Sequence, residues 1–289
     1  MMIDLRIDPL VYIWCMSDLS ITTIQTDLSW EDPAANLSML EHKIRGINTH
    51  TEVVILPEMF STGFSMRPEV FAEEMDGPSV LWMKRLAREK NIILTGSLMI
   101  REVGTGSNEG AAYFNRLIWM LPNGQYGYYD KRHCFGLAGE DRHYRSGNKR
   151  LIASVKGWRV NLLICYDLRF PIWSRQTPQQ NNGGAVQPEF DLMVFVANWP
   201  ERRVHAWRTL LQARAIENQC YVAGVNRVGK DGGEIYHSGD SLVAGPLGEI
   251  LYHREHDEDV HTLTLSRKLL DETREKLPFW KDADRFTIL

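Results

Sequence analysis

Three short strand-like segments in this chain stop at reactive groups, two of them apolar and one aromatic. Val53-Val54-Ile55-Leu56 leads through Pro57 to the carboxylate of Glu58, Tyr128-Tyr129-Asp130 to the amine of Lys131, and Val160-Asn161-Leu162-Leu163-Ile164 to the thiol of Cys165. A thiolate is a strong nucleophile, but a thiol with the ordinary pKa of about 8.5 needs a partner to become one. Each residue also has a dull reading. Cys165 alone reads as a small core residue, since free cysteine is among the most buried types. Glu58 alone is an exposed strand-end charge, and Lys131 an ion-pair partner for Asp130 or Glu140. The coincidence of three strand ends favours chemistry, because α/β proteins place ligands at the carboxyl ends of their strands.

The elements that would carry these groups can be read in order. Leu19 to Gln25 alternates as a strand should. Asp32-Pro33 reads as an N-cap followed by proline at the first helical position, and Leu37, Leu40, Ile44 and Ile47 give that helix one apolar face. With the strand ending at Glu58 this makes a β-α-β start. A second helix runs from Pro78 to about Lys90, and a strand from Ile92 to Ile100. Gly104 to Gly110 is a polar, glycine-rich loop. Tyr113 to Leu121 and Gln125 to Lys131 flank Asn123-Gly124, a strong hairpin signal. Leu151 to Val155 turns at Gly157 into the cysteine strand, and Pro171 to Arg175 opens a helix. Gln176 to Pro188, rich in Gln, Asn and Gly, reads as a mobile surface loop. A buried strand, Asp191 to Ala197, ends at Asn198-Trp199-Pro200. A helix over Val204 to Asn218, a strand over Gln219 to Asn226, a hairpin around Pro246-Leu247-Gly248, a strand over Val260 to Leu265 and a last helix complete the pattern. Patterning alone supports an α/β fold with mixed sheets.

Composition narrows the class. The 289 residues, 44% of them hydrophobic, suffice for one large domain. A formal net charge of −4 and the lack of a basic block argue against nucleic acid and against an anionic membrane surface. No apolar run approaches the roughly 20 residues of a spanning helix. Cys15, Cys134, Cys165 and Cys220 have neither CxxC spacing nor a metal-ligand pattern with the histidines. The expectation is a reduced, cytoplasmic protein without a structural metal and without a cofactor. Residues 1–16 read as an irregular extension, too poor in basic and small residues for a signal peptide, and 17–289 as one domain with a C-terminal tail from about 266. Met16 is a candidate start; a native peptide spanning Asp4 to Tyr12 would refute it.

At Glu58, Lys131 and Cys165 the sequence resembles the nitrilase superfamily, the carbon–nitrogen hydrolases with a Glu-Lys-Cys triad. The resemblance covers about Leu19 to about Leu265. Asn198-Trp199-Pro200 and Ala213-Arg214-Ala215-Ile216-Glu217-Asn218-Gln219 look most like the ω-amidase branch. The resemblance implies a four-layer α-β-β-α sandwich and a homodimer. It also implies roles. Cys165 is the nucleophile, Glu58 shuttles its proton to departing ammonia, and Lys131 faces the developing oxyanion with the N–H of Tyr166 as second donor. A thioester follows and is cleaved by water. Glu140 stands near the family's second glutamate, which orients the lysine. Cys134, where an aliphatic residue is more usual, reads as a packing substitution.

Phe64, Asn198, Trp199 and Trp207 are candidates for the acyl pocket, the tryptophans equally as structural residues. Arg202 or Arg203 is the candidate for a substrate carboxylate, or else a solvated charge. The expected reaction is hydrolysis of the terminal amide of a small dicarboxylic acid monoamide, 2-oxoglutaramate or 2-oxosuccinamate, as the ω-amidase resemblance implies. The same triad would serve a nitrile or N-carbamoyl hydrolase. A non-enzymatic interaction protein built on this scaffold should show a broken triad, and a thiol redox sensor would not need Glu58 and Lys131.

Overall fold

The computed structural model describes residues 17–103, 110–180, 184, 186–284 and 286–287. The extension 1–16, most of the Gly104–Gly110 loop and part of Gln176–Pro188 lie outside them.

In chain order the elements are β1 (Leu19–Gln25), α1 (Pro33–Arg45), β2 (Val53–Ile55), α2 (Pro68–Phe71), α3 (Pro78–Lys90), β3 (Ile93–Val103), β4 (Ala111–Met120), β5 (Tyr126–Asp130), α4 (Glu140–His143), β6 (Ile152–Val155), β7 (Trp158–Ile164), α5 (Pro171–Ser174), β8 (Gln179–Gln180), β9 (Val186–Gln187), β10 (Leu192–Ala197), α6 (Val204–Asn218), β11 (Tyr221–Asn226), β12 (Val228–Lys230), β13 (Tyr236–Ala244), β14 (Ile250–Glu255), β15 (Asp259–Leu265) and α7 (Arg267–Lys276). Gln176–Pro188, read as a plain loop, carries the small β8–β9 ladder instead. Asp32 caps α1 as its position suggested, accepting from the Ala35 N–H at 3.0 Å with Pro33 opening the helix.

Two mixed sheets form. One has the order β15-β1-β2-β3-β4-β5, the other β12-β13-β11-β10-β7-β6 with β14 added on β13. The β-α-β units make β1, β2 and β3 parallel, and β7, β10 and β11 parallel; hairpins extend both sheets antiparallel. Of these parallel strands, β2 and β10 are buried along their whole length, which is why they read as continuous apolar runs. Between the sheets, Leu19, Ile21, Val53, Ile55 and Leu117 pack with Leu162, Ile164, Val194 and Val196. On the outer face of the first sheet, Leu40 and Ile44 of α1 and Met83 and Leu86 of α3 cover Val54 and Leu94. Helix α6 covers the second sheet so closely that a Cβ at Gly224 would lie 2.4 Å from Leu211 Cδ1. The result is the expected four-layer α-β-β-α sandwich. It leaves the carboxyl ends of β2, β7 and β10 on one rim.

Candidate active site

Glu58 follows β2 in a tight turn. The turn is pinned to β3 by the Leu56 N–H on Thr95 O (2.8 Å), the Met59 N–H on Ser97 Oγ (2.8 Å) and the Phe60 N–H on Ser97 O (3.1 Å). A Cβ at Gly96 would come 2.8 Å from both Leu56 and Phe60, so glycine there lets the turn lie flat on the strand. Met59 takes φ +44° to complete it. The Glu58 carboxylate is fully buried. Its Oε1 accepts from Asn115 Nδ2 and Lys131 Nζ, both at 2.8 Å; Oε2 accepts from the Asn198 N–H, also at 2.8 Å.

Lys131 extends β5, its N–H on Asn115 O at 3.0 Å. Its ammonium is buried between Glu58 and Glu140, with Glu140 Oε1 and Oε2 at 3.0 and 2.9 Å. Glu140 opens α4, a single turn entered through Gly139 at φ +78°. Asn115 Nδ2 also reaches Glu140 Oε1 at 3.1 Å, so one amide spans both carboxylates. Asp130, the other partner considered for Lys131, pairs with Arg116 at 2.6 Å. Burial alone would lower the lysine pKa, but Glu140 and Glu58 outweigh it and hold the ammonium well above its usual value. Burial and the Glu58 charge raise the Glu140 carboxyl against the pull of Lys131.

Cys165 begins a helical turn, Cys165–Arg169, with φ +43°. That conformation is uncommon outside glycine and asparagine, and it turns the chain sharply at the end of β7. Burial pushes the thiol well above its usual pKa and Glu58 pushes it further; Lys131 and the Asn198 N–H oppose them. At rest the thiol is therefore neutral, and a base must take its proton as any bond forms.

Lys131 and Cys165 face a cavity of about 190 Å³, whose wall includes Phe64, Phe135, Tyr166, Asn198 and Trp199. Asn198 is locked by its Nδ2 on Glu58 O at 2.6 Å, and Trp199 by its N–H on Asn226 Oδ1 at 2.8 Å. Trp207 does not line the cavity. It lies beneath Trp199, ring centroids 5.4 Å apart, with Nε1 on Asp240 O at 2.8 Å, because α6 turns that face to the core. Arg202 and Arg203 both reach the rim, and Arg169 joins them. Arg169 stacks over Trp199 at 4.8 Å and Arg203 over Phe135 at 5.1 Å. Burial, and then Arg202, lower the Arg203 pKa. Among the described residues, no carboxylate pairs with any of the three.

Asn115 was not legible in the sequence, nor were Arg169, Phe135 and His237, which line the cavity. Asn115 sits mid-strand in β4 and has no local signal. Arg169 stands in Leu168-Arg169-Phe170-Pro171, where a helical turn after the cysteine brings it back over the cavity. Cys134 packs beside Met59, Phe64 and Tyr144, its thiol raised by burial. Elsewhere, Asp240, His253 and Glu255 converge with metal-like spacing. The Arg208 guanidinium already bridges Asp240 and Glu255, so that cluster has its cation.

Comparison with known proteins agrees with this geometry. Residues 20–275 match the family model described as carbon-nitrogen hydrolase. Omega-amidase YafV of Escherichia coli (strain K12) is 42% identical over 278 residues, covering 94% of this chain and 100% of that protein. The 2-oxoglutaramate amidase of Bacillus subtilis (strain 168) is 30% identical over 266 residues, covering 91% and 96%. The crystal structure of XC1258 from Xanthomonas campestris, a CN-hydrolase superfamily protein, superposes with a TM-score of 0.88 at 42% identity, covering 95% of this chain and 100% of that one. The chain belongs to the carbon–nitrogen hydrolase family.

Proposed function

We propose that this enzyme releases ammonia from the terminal amide of small dicarboxylic acid monoamides, of which 2-oxoglutaramate and 2-oxosuccinamate are the leading candidates. The observation that carries the reading is one cavity lined both by the buried Cys165 and Lys131 and by the exposed or half-buried Arg169, Arg202 and Arg203, which pair with no carboxylate among the described residues. The names of the Escherichia coli and Bacillus subtilis relatives support the same substrate class.

In this reading Glu58 takes the Cys165 proton while the sulfur attacks the amide carbon. The carbonyl electrons move onto oxygen. The Lys131 ammonium, held by Glu58 and by both Glu140 oxygens, faces that oxygen with its charge and turns a proton toward it as the charge develops. The Tyr166 N–H, in the first turn after Cys165, has no intrahelical acceptor and is the second donor. Protonated Glu58 returns the proton to the nitrogen, the C–N bond breaks and ammonia leaves a thioester. Water then attacks with Glu58 again as base, the C–S bond breaks, Glu58 returns the proton to the Cys165 sulfur and the acid departs. Glu140 and Asn115 hold the lysine and Glu58 in place. Phe64, Asn198 and Trp199 shape the acyl pocket, and Arg202, Arg203 and Arg169 receive the distant carboxylate.

Ammonia release from a substrate panel tests this. 2-Oxoglutaramate or 2-oxosuccinamate should exceed butyramide by at least about 10²-fold in kcat/KM, because the arginines are left unpaired by the neutral amide. Arg203→Met should shrink that ratio while sparing butyramide. A nitrile or an N-carbamoyl amino acid as the better substrate would overturn the amidase reading and leave the triad chemistry standing.

We also infer a homodimer. Ile172 and Phe279, 57% and 61% exposed, flank a groove shared by α5 and the C-terminal segment. Such surface favours a second copy. Light scattering that gives a monomer at micromolar concentration would refute it. A reducing compartment such as the cytoplasm suits a working thiol.

A further inference from the structure

We propose that Asp167 and His133 form a positioning pair that locks the lysine strand to the cysteine turn. The Asp167 carboxylate is fully buried. Its Oδ2 accepts from Tyr129 Oη at 2.7 Å and from the Ile164 N–H at 3.0 Å. Its Oδ1 accepts from His133 twice, from the backbone N–H at 3.0 Å and from Nδ1 at 2.7 Å. Tyr129 and His133 flank Lys131, and Ile164 precedes Cys165. One side chain therefore touches both flanks of the lysine and the residue before the nucleophile.

Two further observations give this contact meaning. Cys165 holds φ +43°, a conformation that persists only where its surroundings over-determine it. The Asp167 bond to the Ile164 N–H fixes the chain at that point. The lysine side is held as firmly: Tyr129 Oη also accepts from Trp173 Nε1 at 2.9 Å and from the Arg132 N–H at 3.1 Å. The His133 ring stacks on Phe170 with centroids 3.8 Å apart. Phe170 follows the cysteine turn, so the ring ties the two segments together a second time. Asp167 and His133 do not line the cavity and are not proposed to touch substrate. They would act by setting where the Lys131 proton and the Cys165 sulfur stand relative to one another, and a misplacement of about 1 Å can cost on the order of 10²-fold in rate.

This inference rests on the roles given above to Lys131 and Cys165, so its test has one readout that needs no substrate. His133 is partly exposed and tolerates replacement better than Asp167. His133→Asn keeps an N–H donor near the Nδ1 position; His133→Leu removes it. The account expects His133→Leu to lose ~10-fold to ~100-fold in kcat with KM within about threefold, and His133→Asn to recover most of that loss. Alkylation of Cys165 by iodoacetamide should slow in the Leu variant and recover in the Asn variant. Tyr129→Phe, which removes the Tyr129 bond to Asp167 but keeps those from His133 and the Ile164 N–H, should lower kcat and leave the alkylation rate within about twofold. Equal activity and equal alkylation in folded His133→Leu and wild type would overturn the proposal, as would a loss that His133→Asn does not relieve. Wild-type protein without amidase activity, but with the expected alkylation pattern, would defeat the catalytic roles and leave the positioning pair intact.

Discussion

Strand β10 has a buried ionic cluster at each end, and the two are built on opposite plans. At its start, Asp191 is surrounded by cations: Arg274 Nη1 at 2.6 Å, Arg159 Nη2 at 3.2 Å and Arg267 Nη2 at 3.3 Å. Burial alone would raise its pKa, but the three guanidiniums hold the carboxyl well below the usual range. At its end, roughly 20 Å away by the strand rise, Asn198 joins a cluster with the reverse ratio. Two carboxylates, Glu58 and Glu140, share one ammonium beside a thiol. The first cluster joins β10, α7 and β7. The second holds a base, a raised thiol and a cation, and it opens on a cavity. Over-neutralised ion clusters fasten; under-neutralised ones can take part in proton transfer.

The largest expected effect lies at the second end. Cys165→Ala should remain folded, since one sulfur carries little packing, and should lose at least about 10⁴-fold in ammonia release. Activity within tenfold of wild type would break the comparison outright. Next come Glu58→Gln and Lys131→Met. Each should lower kcat by about 10²–10³-fold or more, the first by removing the proton shuttle and the second by removing oxyanion stabilisation. Combined with Cys165→Ala they should add little, because the groups act as a unit; additive losses in a double-mutant series would argue for separate steps.

The first end should answer in stability and not in rate. Asp191→Asn leaves three guanidiniums buried or half-buried without their anion, at a cost of roughly 3–5 kcal/mol, while kcat stays within about twofold. The pH dependence follows from the direction of the Asp191 shift. A carboxylate whose folded pKa lies below its unfolded value contributes stability above that unfolded value, near 3.9. The contribution fades as pH falls toward the folded pKa. Denaturant titrations should therefore show the gap between wild type and Asp191→Asn narrowing below about pH 4. A gap that widens there would contradict the assignment. A smaller effect concerns the thiol. Its raised pKa predicts that Cys165 alkylation still climbs above pH 9, where an ordinary cysteine with a pKa of about 8.5 levels off.

The two ends were unequally legible in the sequence. Glu58, Lys131 and Cys165 each close an apolar or aromatic strand, so a local pattern marks them, and the strand ends that carry them are what the fold aligns. The α1 cap at Asp32 and the Asn123-Gly124 hairpin were local too. Asn115 was not, because a polar residue inside a strand looks the same whether it faces solvent or two carboxylates. The Asp191 cluster was likewise hidden. Its arginines come from β7 and α7, and nothing near Asp191 in the chain announces them. Trp207 shows the opposite failure: a tryptophan close in sequence to the rim was turned away from it by the helix phase of α6.

The central claim is a thioester on Cys165, and partitioning with hydroxylamine tests it most directly. The acyl group of 2-oxoglutaramate, offered as the amide and as its methyl ester, should pass through one common intermediate. At a fixed hydroxylamine concentration the ratio of hydroxamate to acid should then be the same from both, and Cys165→Ala should form neither product. A ratio that depends on the leaving group, or hydroxamate formed by Cys165→Ala, would contradict the account.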